Sequence, residues 1–119
     1  MARSILVVDD DPAFRELAGR LLTAAGLKVV GQAENAATAL TAAHELRPDA
    51  ALVDVDLPDR TGIELATELT ALPWRPLVVL TSVDSEAAMP DDVRRSGAEA
   101  FVHKSELADG SLRRLLVAE

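Results

Sequence analysis

Four short stretches carry the residues whose types and spacing could do chemistry: Asp9-Asp10-Asp11, Asp54-Val55-Asp56, Thr81-Ser82 and Lys104. Carboxylates brought side by side repel, since two unit charges about 4 Å apart cost about 4 kcal/mol at an effective dielectric of about 20. A hard cation that takes oxygen ligands, Mg2+ above all, relieves that repulsion and favours phosphoryl chemistry. An aspartate beside Mg2+, with a lysine ammonium and a threonine hydroxyl to hold phosphoryl oxygens, is a set of parts for accepting a phosphoryl group. Taken singly, each part is ordinary. Lys104 alone reads as an exposed lysine, Thr81 as a strand threonine, and Asp54 as a loop-opening aspartate followed by Pro58 and Gly62, which suit any loop. Their weight depends on whether the chain brings them to one place.

The elements that must do so are readable from apolar patterning. Short continuous apolar runs recur at Ile5 to Val8, Val29-Val30, Ala50 to Val53, Leu77 to Leu80 and Ala100 to Val102, as in strands covered on both faces. Between the first two, Phe14, Leu17, Ala18, Leu21, Leu22 and Ala25 fall on one helix face, with Asp11-Pro12 to start the helix and Gly26 to end it. Asn35 can cap a second helix carrying Ala36, Ala39, Leu40 and Ala43, which stops before Pro48. Thr61 and Glu64 form a capping box for a third, with Ile63, Ala66, Leu69 and Thr70 facing one way until Pro73. Pro90 would break a helix begun at Ser85, so a loop over 82–89 and a short helix from Pro90 to Ser96, ended by Gly97, are expected. The last helix, through Leu112, Leu115 and Leu116, has two candidate caps, Ser105 and Asp109.

Strands alternating with helices make right-handed βαβ units, hence a parallel sheet in a doubly wound α/β sandwich. Ligands of such sheets bind beyond the carboxyl ends of the strands. All four chemical stretches stand directly after strands, so they converge on one rim. Asp11, next to Pro12, reads as a helix cap, whereas Asp9 and Asp10 have no capping role and read as functional.

Composition narrows the class. The chain has 119 residues, 49% apolar but 3% aromatic, so an aliphatic core of single-domain size is expected. It has no cysteine, which removes disulfides and thiolate chemistry. No apolar run approaches the roughly 20 residues of a membrane span, and the early acidic residues do not suit a secretory signal, so a cytoplasmic protein with no membrane contact is expected. A net charge of −8 opposes direct nucleic-acid binding and suits protein and cation partners.

Ile-Leu-Val-Val-Asp-Asp-Asp, Leu-Val-Asp-Val-Asp-Leu-Pro-Asp-Arg-Thr-Gly, Val-Val-Leu-Thr-Ser and Ala-Phe-Val-His-Lys resemble, in order and across the whole chain, the four signatures of response regulator receiver domains. The resemblance implies one receiver domain over residues 1–119 with no output domain, in a flavodoxin-like α/β/α sandwich of five parallel strands ordered 2-1-3-4-5. It implies that Asp54 is the phosphoacceptor and that Mg2+ is held by Asp10 and Asp54 directly, by Asp9 through water, and by the backbone carbonyl of Asp56. Thr81 and Lys104 would bind the phosphoryl group, with Ser82 as the small neighbour leaving access, and Thr81 and Phe101 would form the switch. The implied donor is a sensor histidine kinase or phosphotransfer protein, and the implied output face is the fourth helix, fifth strand and fifth helix, through which two copies could also pair. A receiver of this kind assists its own phosphorylation and dephosphorylation and is not an enzyme with an external product. Asp56 and Val83 lie where receivers tune dephosphorylation.

Ser105 stands where most receivers have proline after the lysine, which resembles the NarL/LuxR class, whose members usually carry a C-terminal helix-turn-helix. Phe101 lacks the hydroxyl of the commoner tyrosine. Two rival readings remain: a haloacid-dehalogenase-like phosphatase, from Asp54-Val55-Asp56 after a strand, though that motif belongs on a first strand; and a receiver that binds partners without being phosphorylated. Dinucleotide binding is disfavoured, because Asp9-Asp10-Asp11 stands where a glycine-rich loop is needed. His44 and His103 read as bystanders, since two histidines on different elements make no recognisable metal site, and Trp74 as a loop anchor.

Overall fold

The computed structural model describes residues 3–117. Strands β1 (Ser4–Val8), β2 (Lys28–Ala33), β3 (Ala50–Asp54), β4 (Leu77–Ser82) and β5 (Ala100–His103) form a parallel sheet ordered β2-β1-β3-β4-β5. This is the expected five-stranded doubly wound sandwich. Helices α1 (Pro12–Ala24), α2 (Ala36–Leu46), α3 (Gly62–Thr70), α4 (Pro90–Ser96) and α5 (Ser111–Leu116) connect and follow them.

The continuous apolar runs have a direct use, because successive strand side chains point to opposite faces. Leu6, Val8, Ala51, Val53, Val78 and Leu80 pack in one cluster with Ala36, Ala39 and Ala43 of α2 and Leu65, Ala66 and Leu69 of α3. Ile5, Val7, Ala50, Leu52, Val79 and Val102 pack in the other, with Phe14, Ala18 and Leu22 of α1 and Leu112 and Leu116 of α5. Burying each Val, Leu or Ile contributes about 1.5–3 kcal/mol, so both faces of the sheet drive folding.

The helix starts follow their local chemistry. Asp11 accepts from Ala13 N–H ahead of Pro12, Asn35 accepts from Thr38 N–H, and Thr61 and Glu64 form the reciprocal capping box. Helix α4 runs from Pro90 to Ser96 and ends at Gly97, as proline and glycine at those positions dictate. Trp74 does anchor its loop: Nε1 donates to Pro48 O at 3.2 Å, and Arg47 lies 5.0 Å from the ring.

Three expectations require correction. Leu17 is 47% exposed at the margin of the α1 stripe, while Leu65, absent from the expected α3 face, is fully buried. The last helix starts at neither candidate cap; a 3₁₀ helix over Lys104–Asp109 comes first, and Gly110, at φ 97°, turns the chain into α5. Only glycine takes that backbone conformation without strain, so the break falls there. The side chain of Asp109, one of the two candidate caps, lies outside the described residues.

Candidate functional site

The C-terminal ends of β1, β3, β4 and β5 lie side by side, with Asp54 in register with Thr81 and Ser82 in register with His103. The central strand β3 delivers Asp54 between β1, which leads into Asp9 and Asp10, and β4. Asp9 is 1% exposed and Asp54 6%, whereas Asp10 and Asp56 are exposed. Carboxylate atoms of Asp9, Asp10 and Asp54 all lie within 4.8 Å of one another.

Lys104 brings an ammonium to the carboxylates of this rim. Its Nζ lies 2.7 Å from Asp9 Oδ2 and 3.6 Å from Asp54 Oδ2, and stands 4.0 Å from the centre of the Phe14 ring. Close opposite charges and an aromatic face offset the cost of drawing an ammonium out of water. Asp54 Oδ1 accepts from Asp56 N–H at 3.2 Å. Burial nevertheless raises the Asp54 carboxyl from 3.8 to about 6, the Asp9 charge adding to the rise and the Asp56 N–H and Lys104 opposing it. Thr81 Oγ1 is buried with no hydrogen-bond partner, an uncommon and costly condition. Ser82 donates to Asp56 Oδ2 at 3.4 Å and accepts from Asp84 N–H at 3.1 Å. Phe101 is half-buried on β5, in register with Leu80 and packed against the α2/α3 cluster. Thus Asp9, Asp10, Asp54, Asp56, Thr81, Ser82 and Lys104 share one rim, and Phe101 stands three residues before Lys104 on the strand that positions it.

Asp9 also has a local role that its sequence position did not suggest: Oδ1 accepts from Asp11 N–H at 2.9 Å, shaping the turn into α1. Other contributors were missed. Arg15 donates to the carbonyl of Asp9 at 2.6 Å and to Gln32 at 3.1 Å, fixing the β1 tip against α1 and β2. Asp59 accepts from Ala36 and Ala37 N–H, which lowers its pKa and ties the loop after β3 to the start of α2. His103 is no bystander, since it bonds both Val83 and Ser105. Gly62 is more than a loop glycine: a Cβ there would sit 2.2 Å from Asp54 O, so only glycine lets α3 approach the site strand this closely. The capping box was the one signal placing Gly62 at a helix start; the others are contacts between distant segments with no spacing rule.

Three acidic oxygens gathered beside an unpartnered buried hydroxyl suit a divalent cation with oxygen ligands and an oxyanion next to it. The response regulator receiver domain signature matches residues 5–115, and the chain belongs to that family. It is similar to the chemotaxis protein CheY of Bacillus subtilis, 31% identical over 109 residues that cover 92% of this chain and 91% of that protein. It is also similar to a putative transcriptional regulator of Pseudomonas aeruginosa, 33% identical over 114 residues, 96% of this chain but 53% of that protein, and so spans about half of that relative's length. Among solved structures, the receiver domain of the putative response regulator NarL from Mycobacterium tuberculosis superposes with a TM-score of 0.78 at 29% identity over 96% of each chain. A LuxR-family two-component response regulator from Aurantimonas sp. SI85-9A1 gives 0.84 at 26% identity, covering 100% of this chain and 89% of that one. The protein therefore contains a CheY-like receiver domain of two-component signalling. No helix among the described residues is long and apolar enough to cross a membrane.

Proposed function

We propose that Asp54 is the phosphoacceptor of this receiver and that a phosphohistidine, on a sensor histidine kinase or phosphotransfer protein, is the donor. An Asp54 oxygen attacks phosphorus; the P–O bond forms as the P–N bond breaks, and the departing imidazole nitrogen takes up a proton. Lys104 pairs with the developing phosphoryl charge, and the Thr81 hydroxyl donates to a phosphoryl oxygen, gaining the partner it lacks in the resting site. Ser82, with its small side chain, leaves the approach open. Asp9, Asp10, Asp54 and the backbone carbonyl of Asp56 are the groups that would hold Mg2+, which when bound offsets negative charge at the reacting oxygens. The domain acts on itself and releases no external product.

The observation that carries this reading is the placement of Asp54: nearly buried at the tip of the central strand, 3.6 Å from an ammonium and in register with an unsatisfied hydroxyl. Phosphorylation then shifts a two-state equilibrium in which Thr81 and Phe101 rearrange and the α4, β5 and α5 face changes its fit for a partner, an output domain or a second copy. The protein works in the cytoplasm on this reading, and this domain does not itself bind nucleic acid. Incubation with a small-molecule phosphodonor and Mg2+, followed by intact mass, tests it. The wild type gains one phosphoryl group and Asp54→Asn gains none; no gain in the wild type, or a gain that survives the substitution, refutes it.

A further inference from the structure

Beyond the rim itself, one ring joins the two segments that carry its phosphoryl-binding side chains. His103 closes β5, in register with Ser82 of β4. Its Nδ1 accepts from the backbone N–H of Ser105 at 3.1 Å and lies 2.7 Å from the Ser105 hydroxyl, while its Nε2 lies 2.6 Å from the carbonyl of Val83. A backbone N–H only donates and a carbonyl only accepts, so the tautomer follows: Nδ1 is bare and Nε2 carries the proton. The imidazole thereby links the residue after Ser82 to the residue after Lys104.

We infer that His103 is a positioning residue of the phosphoryl site, its neutral ring tethering the loop after β4 to the chain after β5 and holding Thr81 in the resting arrangement. This rests on the phosphoacceptor reading above for its consequence, though not for the tether. Thr81 is a single residue from the Ser82–His103 pair, and its buried hydroxyl has no partner. A phosphoryl group on Asp54 offers that hydroxyl an acceptor and draws the tip of β4 toward β3. The loop that must follow is held at Val83 by His103, so the tether opposes closure and sets how readily the site is phosphorylated. The Val83 side chain is exposed, so packing at Val83 does not duplicate the tie that its carbonyl makes to His103 of β5.

Three substitutions separate the two halves of the link. His103→Gln keeps a donor near Nε2 for Val83 and loses the acceptor for Ser105; His103→Asn keeps the acceptor and loses the reach to Val83; His103→Phe keeps ring volume and loses both. Amide hydrogen exchange over residues 83–86 of the unphosphorylated protein reads the tether, and the initial rate of phosphoryl gain from a small-molecule phosphodonor with Mg2+, by intact mass, reads its consequence. His103→Asn and His103→Phe are expected to raise both by about 2- to 10-fold, the factor carried by one neutral hydrogen bond, with His103→Gln close to wild type. The Asn and Gln pair carries the comparison if the Phe variant does not fold. Exchange unchanged in the Asn variant, or a Gln variant behaving as Asn does, overturns the tether; raised exchange without a faster reaction overturns the positioning role. A wild type that gains no phosphoryl group fails the Asp54 reading and with it the consequence, while the exchange result still decides the tether.

Discussion

The resting site holds more negative charge than its surroundings accept, and Asp54→Asn measures by how much. Burial is the largest cause of the raised Asp54 carboxyl, the Asp9 charge adds to it, and the Asp56 N–H and Lys104 only partly compensate, leaving it at about 6 against an ordinary 3.8. The folded protein thus binds this proton more tightly than the unfolded chain. Between about pH 4 and pH 6 the folded state carries more protons, so stability falls as pH rises through this window, and above it the whole penalty is present. At 1.36 kcal/mol per pH unit the gap sets an upper bound of about 3 kcal/mol, and relaxation by nearby water reduces the working figure to about 1–2 kcal/mol. Asparagine has nearly the same shape, keeps an oxygen to accept from Asp56 N–H, and carries no charge. In the presence of a chelator the variant should therefore unfold at higher urea than wild type at pH 7.5, by about 1–2 kcal/mol, and within about 0.5 kcal/mol of it near pH 3.5. The single tryptophan, Trp74, held by Pro48 and Arg47 among the loops before β3 and β4, supplies the fluorescence signal. A variant no more stable than wild type at pH 7.5, or one equally stabilised at both pH values, refutes the assignment of the penalty to Asp54 ionisation.

Other consequences are as direct. Mg2+ should raise the melting temperature of the wild type with increasing concentration, by an amount equivalent to about 2.7 kcal/mol at 100 times its dissociation constant, and should do little for Asp54→Asn or Asp9→Asn; equal shifts in all three would place the ion elsewhere. Lys104→Met leaves Asp9 and Asp54 without their shared cation and should lower stability at pH 7.5 by about 1–3 kcal/mol in urea, a loss that shrinks once Asp54 is protonated. Gly62→Ala forces a methyl against Asp54 O and should cost about 1–3 kcal/mol and slow phosphorylation, because the backbone that carries the acceptor must shift; an unaffected phosphorylation rate would show that α3 yields instead.

The rim was legible in the sequence because strands written as unbroken apolar runs end abruptly, and the polar residues just past each end stand out by type. Asp9, Asp54, Thr81 and Lys104 met through nothing more than the parallel sheet. The short helix from Pro90 to Ser96 was equally legible, since proline and glycine act on their own backbone. The start of α5 was not, because Ser105 and Asp109 are both plausible caps by type and the decision falls to Gly110, whose positive φ breaks the chain between them and the helix. Arg15, Asp59 and His103 escaped for another reason. Each bonds a backbone group from a different stretch of chain, 6, 23 and 20 residues away, and backbone groups have no residue type to recognise. Leu17 shows the limit of periodicity, which locates the stripe but not how far the neighbouring strands extend to cover its edge.

The charges of the rim also explain why cation and phosphoryl group would act together. Asp9, Asp10 and Asp54 bring three negative charges to the described site and Lys104 brings one positive charge, held closer to Asp9 than to Asp54. With the Asp56 carboxylate on the same rim, this leaves a deficit of positive charge that a divalent cation would relieve in part. Phosphorylation of Asp54, as proposed, would replace its single charge by roughly two at neutral pH and so deepen the deficit. An ion that relieves it must bind the phosphorylated form more tightly, and by reciprocity must favour phosphorylation. On the proposed reading Lys104 faces the opposite choice: phosphoryl oxygens would compete with Asp9 for its ammonium, so the contact at 2.7 Å in the resting site is the one that phosphorylation would loosen. The site is thus under-satisfied in two ways at rest, by charge at Asp54 and by hydrogen bonding at Thr81, and a phosphoryl group accompanied by a divalent cation answers both. That shared deficit, more than any single residue, is what on the proposed reading would let a phosphoryl group rearrange the tips of β4 and β5.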